Sequence, residues 1–175
     1  MSQPPMYLAV GSPGSRLTRV TWMLEELEVA YEIVKAKQHS ELMRQYNPTG
    51  KMPALVDGDV VVTDSAAICG YLAEKHAEKG LGSDTGLAGR AAFDSWMHFA
   101  QSEFEAPMWN KLKHRLMLPE ELRCDVGPWT TYEFDREVAA LEAKLNGRAY
   151  ALGDRFSAVY VILGHCGHWA RGARF

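Results

Sequence analysis

The first third of the chain alternates between short apolar runs and one amphipathic segment. Met6–Val10 is an apolar run that enters the sequence Gly-Ser-Pro-Gly, which predicts a buried strand followed by a tight loop. From Ser15 to Leu27, apolar residues recur at helical spacing and acidic residues occupy mostly the other face, which predicts a helix. Ala30–Lys37 alternates apolar and polar positions and predicts a second strand. This order predicts a βαβ unit, whose parallel crossover is right-handed.

Turn signals divide the next segment into a short helix and a hairpin. Ser40 is a suitable N-cap for a helix that runs to Tyr46 and ends at Asn47-Pro48, because the residue before a proline is pushed out of helical geometry. Residues 52–56 and 60–62 are apolar runs joined by a tight Asp-Gly turn. They predict two strands of a β-hairpin, which is the strongest local prediction for this chain.

A change of pattern near residue 80 predicts two domains. Asp64 or Ser65 caps a helix that finishes near Lys79, and residues 80–89 are rich in glycine, serine and aspartate, as in an interdomain linker. Beyond this segment, the apolar spacing is helical throughout. We therefore predict an α/β domain over residues 1–79, a linker over 80–89 and an all-helical domain over 90–175.

The helical half contains three predicted helices. Residues 90–117 form a long pattern rich in aromatic side chains, which Pro107 is expected to kink. A second helix is predicted at about 129–145, and a third at 159–170 with Ser157 as its N-cap.

Composition and charge exclude several classes of function. A chain of 175 residues with 47% hydrophobic residues can bury a core, and a net charge of -3 leaves no basic stripe to neutralise phosphates, so we expect no nucleic-acid partner. The sequence has no uncharged apolar run long enough to cross a bilayer, and Met-Ser-Gln-Pro-Pro at the N-terminus does not resemble a signal peptide, so we expect a soluble, cytoplasmic protein. The three cysteines, Cys69, Cys124 and Cys166, are widely spaced, which fits a reducing compartment and predicts no metal site.

Three stretches of the first half together carry a family likeness: Ser12–Val20 with Leu24–Leu27, Asn47–Pro53 and Thr63–Ile68. They resemble the glutathione-binding half of soluble glutathione transferases of the serine type found in bacteria, and Gly-Asp-Arg-Phe-Ser at 153–157 resembles a capping-box motif of that family's helical half. The resemblance implies a thioredoxin-like N-terminal domain and a helical C-terminal domain. It also implies glutathione as cosubstrate, conjugation to a small hydrophobic electrophile in detoxification, and a homodimer.

The resemblance gives the first loop a chemical role. Thiol conjugation needs a thiolate at neutral pH, and a hydroxyl donor at a helix N-terminus stabilises that charge by hydrogen bond and by the helix dipole. Thioredoxin-fold oxidoreductases carry Cys-x-x-Cys in this loop, whereas this chain has Ser12-Pro13-Gly14-Ser15, which excludes dithiol exchange there. Ser15 is the first choice for the catalytic donor and Ser12 the alternative. Local sequence alone also allows both to be turn and N-cap residues.

Other motifs of the resemblance imply contacts with glutathione. Met52-Pro53 resembles the family's cis-proline step, where an unpaired backbone accepts glutathione as an added strand, although a trans proline opening an edge strand is the alternative. Asp64-Ser65 begins a helix whose N–H groups and serine hydroxyl would bind the γ-glutamyl carboxylate, while the aspartate would pair with the ammonium. His39 and Lys51 are the candidates for the glycyl carboxylate.

The helical half leaves more alternatives open. Phe104, Met108 and Trp109 are candidates for an apolar electrophile pocket, but helical spacing also explains such side chains as core. Tyr160 stands where the family's capping box normally has aspartate, so the reciprocal bond to the N-cap is lost. Two other functions remain: a glutathione-binding or protein-interaction module without turnover, and a glutathione-dependent peroxide or disulfide reductase.

Overall fold

The structure, a computed structural model, describes residues 7–173 and 175. The chain divides into two compact units, Met1–Gly82 and Ser83–Phe175. The N-terminal pentapeptide and Met6, predicted as the start of the first strand, lie outside the described residues. The first unit is a thioredoxin-like α/β unit and the second is helical, so the predicted fold class is confirmed. No helix in the described part of the chain is long and apolar enough to span a membrane.

A mixed sheet of four strands in the order β2-β1-β3-β4 organises the first unit. Its strands are β1 (Tyr7–Gly11), β2 (Tyr31–Lys35), β3 (Ala54–Asp57) and β4 (Val60–Thr63). β1 pairs in parallel with β2, where Ala9 lies opposite Ile33, and antiparallel with β3, where Ala9 lies opposite Leu55. Both the predicted βαβ unit and the predicted β3–β4 hairpin are therefore confirmed.

The sheet is covered by three helices: α1 (Leu17–Glu26), α2 (Glu41–Tyr46) and α3 (Ser65–Lys75). The predicted N-cap Ser40 is confirmed, because its side chain accepts a hydrogen bond from the backbone N–H of Met43 at 3.2 Å. Met43 is itself buried against β1 and β3 in a cluster with Val10, Ala36 and Ala54. α3 is shorter than predicted, since a 3₁₀ turn replaces its last turn before Gly80.

The second unit contains helices α4 (Gly86–His98), α5 (Ala106–Leu112), α6 (Gly127–Leu145) and α7 (Ala158–Ala173). The single helix predicted over 90–117 is wrong in detail, because π-helical turns at Phe99–Phe104 and Lys113–Met117 interrupt it. The first interruption ends at Phe104, and Pro107 lies in the first turn of α5, which follows it. Pro107 lacks the N–H that would bond to the carbonyl four residues earlier, so the regular α-helical ladder cannot continue through this point.

Ser157 directly precedes α7, in the predicted N-cap position, but its side chain makes no capping hydrogen bond. Its Oγ is buried and is the one side-chain nitrogen or oxygen atom in the described part of the chain that is buried without a hydrogen-bond partner. The residue that would complete the capping box is Tyr160, whose ring packs instead against Tyr150 and Phe156 with centroids 5.5 and 5.6 Å apart. The backbone N–H of Tyr160 still donates to the Ser157 carbonyl at 2.8 Å, so the first turn of α7 forms without the side-chain cap.

Candidate functional site

The loop after β1 holds both candidate serines close to the start of α1. The Ser15 hydroxyl donates to the Ser12 carbonyl at 2.6 Å and accepts the backbone N–H of Leu17 at 3.2 Å. The Ser12 hydroxyl donates to the Ala36 carbonyl at 2.8 Å. Ser15 therefore closes the turn and satisfies an N–H at the beginning of α1, whereas Ser12 links β1 to the segment after β2.

The loop before β3 meets Ser12. The Met52-Pro53 peptide bond is cis, as predicted. The backbone N–H of Ser12 points at Sδ of Met52 at 3.3 Å, and a Cβ on Gly11 would lie only 3.3 Å from Cβ of Met52. β3 begins at Ala54, so Met52 lies beyond the β1–β3 ladder, and its backbone N–H and C=O have no hydrogen-bond partner among the residues that the structure describes.

The start of α3 has an unusual backbone. Asp64 adopts φ 72° and ψ 130°, a conformation that non-glycine residues rarely occupy, and such strain clusters at ligand clamps and active sites. Its Oδ1 accepts the N–H groups of Ala66 at 2.9 Å and Ala67 at 3.3 Å, so the predicted N-cap is confirmed. Ser65 is buried, and its hydroxyl accepts a hydrogen bond from the guanidinium of Arg19 at 3.1 Å.

Arg19 is a residue whose place in this region the sequence did not predict. It is fully buried on α1 and connects that helix to Ser65, which lies 46 residues further along the chain. The signal in the sequence was a charged residue beside Val20, within the apolar pattern of α1. The thiol of Cys69 donates to the Arg19 carbonyl at 3.7 Å, and burial raises the pKa of Cys69 to about 12, so this buried thiol remains protonated at neutral pH.

The candidate cations are brought together by the loop that precedes Met52. His39 and Lys51 are both exposed and flank Gly50. The backbone N–H of His39 donates to the Gly50 carbonyl at 2.7 Å, and a Cβ on Gly50 would lie 2.8 Å from the His39 ring, so only glycine fits there. Asn47 completes the loop by donating its amide to the Lys51 carbonyl at 2.8 Å.

The candidate pocket residues lie in the second unit and differ in exposure. Phe104 and Met108 are only 5% and 1% exposed, and Phe104 stacks on Phe134 with a centroid distance of 5.7 Å. They belong to the core of this unit, as their helical spacing allows. Trp109 is half-buried and stacks on Trp169 at 6.5 Å, so it is the accessible member of the three.

A polar cluster lies at the other end of the sheet, where β3 ends and β1 begins. The buried carboxylate of Asp57 accepts the Tyr71 hydroxyl at 2.6 Å and the ammonium of Lys75. Burial by itself raises the pKa of Asp57, but the hydrogen bonds from Lys75 and Tyr71 outweigh it and hold this pKa below its ordinary value. The Tyr7 hydroxyl oxygen forms a hydrogen bond with Nε2 of His76 at 2.8 Å. This cluster fastens the C-terminal end of α3 to the sheet.

Within residues 7–173 and 175, no three histidine, cysteine, aspartate or glutamate side chains lie close enough to hold a metal ion.

Comparison of the sequence with known proteins identifies relatives of the first unit and of part of the second. A family model described as glutathione S-transferase, N-terminal domain, matches residues 10–80. Glutathione S-transferase 3 of Schizosaccharomyces pombe is 36% identical over 99 residues, which are 54% of this chain and 41% of that protein. Glutathione S-transferase theta-3 of Mus musculus is 31% identical over 136 residues, or 75% of this chain and 56% of that protein. The chain thus spans about half the length of these curated relatives.

Solved structures share the fold of both units. A theta class glutathione S-transferase from Xanthomonas axonopodis pv. citri, with glutathione bound, superposes with a TM-score of 0.77 at 28% identity, covering 91% of this chain and 80% of that one. BphK, a bacterial glutathione transferase, has a TM-score of 0.82 at 21% identity, covering 96% and 84%. The matched family model spans the loop after β1, the cis-proline loop and the start of α3. Residues 10–80 therefore form a glutathione S-transferase N-terminal domain.

Proposed function

We propose that this protein is a glutathione transferase that binds glutathione on its N-terminal unit and transfers the thiolate to a small hydrophobic electrophile. The observation that carries the proposal is the contact from the backbone N–H of Ser12 to Sδ of Met52, since it sets a serine beside a residue whose backbone is unpaired. Matched relatives are named glutathione S-transferases, and the Xanthomonas relative holds glutathione.

The binding mode follows from the groups around this contact. The backbone N–H and C=O of Met52 would pair with the extended backbone of glutathione as an added strand. The first turn of α3 at Asp64 and Ser65 would receive the γ-glutamyl end, because a helix N-terminus binds a carboxylate and the aspartate attracts an ammonium. His39 and Lys51 would attract the glycyl carboxylate. The reaction itself needs mainly positioning and stabilisation of the sulfur's charge.

The contacts of the two serines change which one we propose as the donor. Ser15 is the first choice from the sequence, but its hydroxyl is engaged in a short hydrogen bond and also satisfies the N–H of Leu17. Ser12 adjoins Met52 and would need only to turn its hydroxyl hydrogen from the Ala36 carbonyl to the sulfur. We therefore propose Ser12 as the catalytic donor and keep Ser15 as the alternative.

Alanine variants separate these assignments. Ser12→Ala should lower kcat for conjugation of an aryl halide by about 10²–10³-fold, as expected when one donor to a developing anion is removed. Ser15→Ala should keep most of the activity and lose about 1 kcal/mol of stability, because it removes the hydrogen bonds of the hydroxyl to the Ser12 carbonyl and the Leu17 N–H. Steady-state kinetics and urea denaturation measure both effects. Loss of turnover only in Ser15→Ala would restore Ser15 as the donor.

The function is tested first by calorimetric titration with glutathione, and then with S-hexylglutathione. Saturable binding, tighter for the hexyl conjugate, and turnover of aryl halides, epoxides or isothiocyanates would support a transferase with an apolar pocket. Binding without conjugation would instead indicate a noncatalytic module, and activity confined to hydroxyethyl disulfide or peroxides would indicate a reductase. A well-folded protein that does not bind glutathione would overturn the proposal.

We further propose that the protein acts in the cytoplasm, in detoxification, as a homodimer. These expectations rest on the family likeness and, for the compartment, on three cysteines that are all free. Light scattering on the eluting protein gives the mass in solution, and a monomeric mass at micromolar concentration would contradict the dimer.

A further inference from the structure

A thiol and an imidazole meet in the helical unit. Cys124 lies in the segment before α6, and His114 lies in the π-helical turn that follows α5. Sγ of Cys124 is 3.4 Å from Nδ1 of His114, and the backbone N–H of Cys124 donates to the same nitrogen at 3.2 Å. Cys124 is exposed and His114 is half-buried. The thiol is thus held beside a base while one side of it remains open to small molecules.

The backbone contact fixes the state of the ring. A backbone amide can only donate, so Nδ1 of His114 must be an acceptor, and the neutral imidazole carries its hydrogen on Nε2. Nδ1 has one lone pair, which the backbone N–H and the thiol hydrogen of Cys124 share, so the thiol proton passes to Nδ1 only when the backbone contact is released. A cysteine beside a histidine that accepts its proton is the arrangement of an activated nucleophile.

The other two cysteines differ from Cys124 in their exposure to solvent. Cys69 and Cys166 are both fully buried. Their thiols donate to the backbone carbonyls of Arg19 and Ala100, at 3.7 and 4.0 Å. Burial keeps both thiols away from solvent, so the two residues serve as internal controls for the reactivity of Cys124.

We propose that Cys124 is a modification site that undergoes exchange with small disulfides such as glutathione disulfide. Sγ of Cys124 attacks one sulfur of the disulfide while Nδ1 of His114 releases the backbone N–H of Cys124 and takes up the thiol proton. A new S–S bond forms, the old one breaks, and the departing thiolate takes the proton. The cysteine is oxidised to a mixed disulfide and the small disulfide is reduced to one thiol. This step uses no residue of the proposed glutathione site.

The test is the rate of adduct formation in the full chain with excess glutathione disulfide at neutral pH, followed by intact mass spectrometry and peptide mapping. We expect one glutathione per chain, located at Cys124. His114→Asn is the matched variant, because the asparagine oxygen can still accept the backbone N–H of Cys124 but cannot act as a base. It should slow the reaction at least about tenfold. Cys124→Ser should form no adduct.

Comparing the reaction rates of the three cysteines in the wild-type protein gives a test that does not depend on the folding of a variant. In urea, the three cysteines lose their folded surroundings, so Cys124 should react no faster than Cys69 and Cys166. In the native protein, Cys124 should react much faster than Cys69 and Cys166. An equal rate in folded His114→Asn, or native modification first at a buried cysteine, would overturn the proposal.

Discussion

Ser157 and Ser40 are serines that precede helices in the same way and differ in what their hydroxyls contact. The Ser40 hydroxyl accepts an N–H, whereas that of Ser157 is buried without a partner. Ser157→Ala should therefore be neutral or raise the free energy of unfolding by up to about 1 kcal/mol, since it removes an unsatisfied polar group. Ser40→Ala, the control, should lose about 1 kcal/mol. Urea denaturation measures both, and equal losses would contradict this account of Ser157.

Single residues also show which features could be predicted from the sequence. The Ser40 cap was predicted because its cause lies within a few neighbouring residues, whereas the cis bond at Met52-Pro53 was expected from the family resemblance. The bond from Arg19 to Ser65 was not predicted, since it joins residues 46 positions apart and depends on how α1 packs against α3. The position of Ser157 before α7 was predicted, but the lack of a hydrogen-bond partner for its Oγ was not, because it depends on how the start of α7 packs.

Among the elements, α3 has a different task at each end. Its N-terminal Asp64 caps the helix in a strained conformation, and its C-terminal Lys75 is fastened to Asp57. Asp64→Asn tests the first task, because asparagine caps equally well and tolerates positive φ but carries no charge. Stability should change by less than about 0.5 kcal/mol. Glutathione should bind about tenfold more weakly, measured by calorimetry, because a charged hydrogen-bond partner is lost.

The control for this variant is Asp59→Asn in the exposed hairpin turn, which should leave glutathione affinity unchanged. Unchanged affinity in Asp64→Asn would mean that the aspartate acts as a cap alone. The strain at Asp64 could not be predicted from sequence, where Asp-Ser before a helix indicates ordinary capping. The strain arises because β4 must turn into α3 within one residue.

At the scale of the whole molecule, acid sensitivity depends on Asp57. Its pKa is lower in the folded chain than in the unfolded chain, so its contribution is present above the unfolded pKa and is lost as pH falls through the folded pKa. Asp57→Asn should lower the free energy of unfolding by about 1–2 kcal/mol at neutral pH. The difference from the wild type should shrink below about pH 4. Urea denaturation monitored by circular dichroism at several pH values measures this.

Glu28→Gln is the matched control, because Glu28 also pairs with a lysine, Lys79, but on the surface where solvent screens the charges. It should leave stability nearly unchanged. A pH-independent difference between Asp57→Asn and the wild type would show that the hydrogen bonds of Asp57, rather than its charge, stabilise the fold.

The division into two units was also visible in the sequence, because strand-like runs cease near residue 80. The boundary between the units lies after Gly82, and α4 begins at Gly86, within the stretch expected as a linker. The first turn of α4 contains two glycines and the exposed Leu87, so the hydrophobic pattern gives no sign of this turn. The placement of β1 between β2 and β3 is set by pairing between residues far apart in the chain, so the local pattern does not predict it.

The π-helical turn at Phe99–Phe104 has a consequence for how this chain should be aligned with its relatives. Each residue of an α-helix advances by about 100°, so inserting or deleting one residue rotates everything beyond it around the axis. A π-helical turn absorbs such a residue locally, while the segments before and after it keep their buried faces. Alignment gaps among relatives are therefore expected inside this turn as well as in loops, and a one-residue deletion there should convert it to regular α-helix while α4 and α5 keep their buried faces.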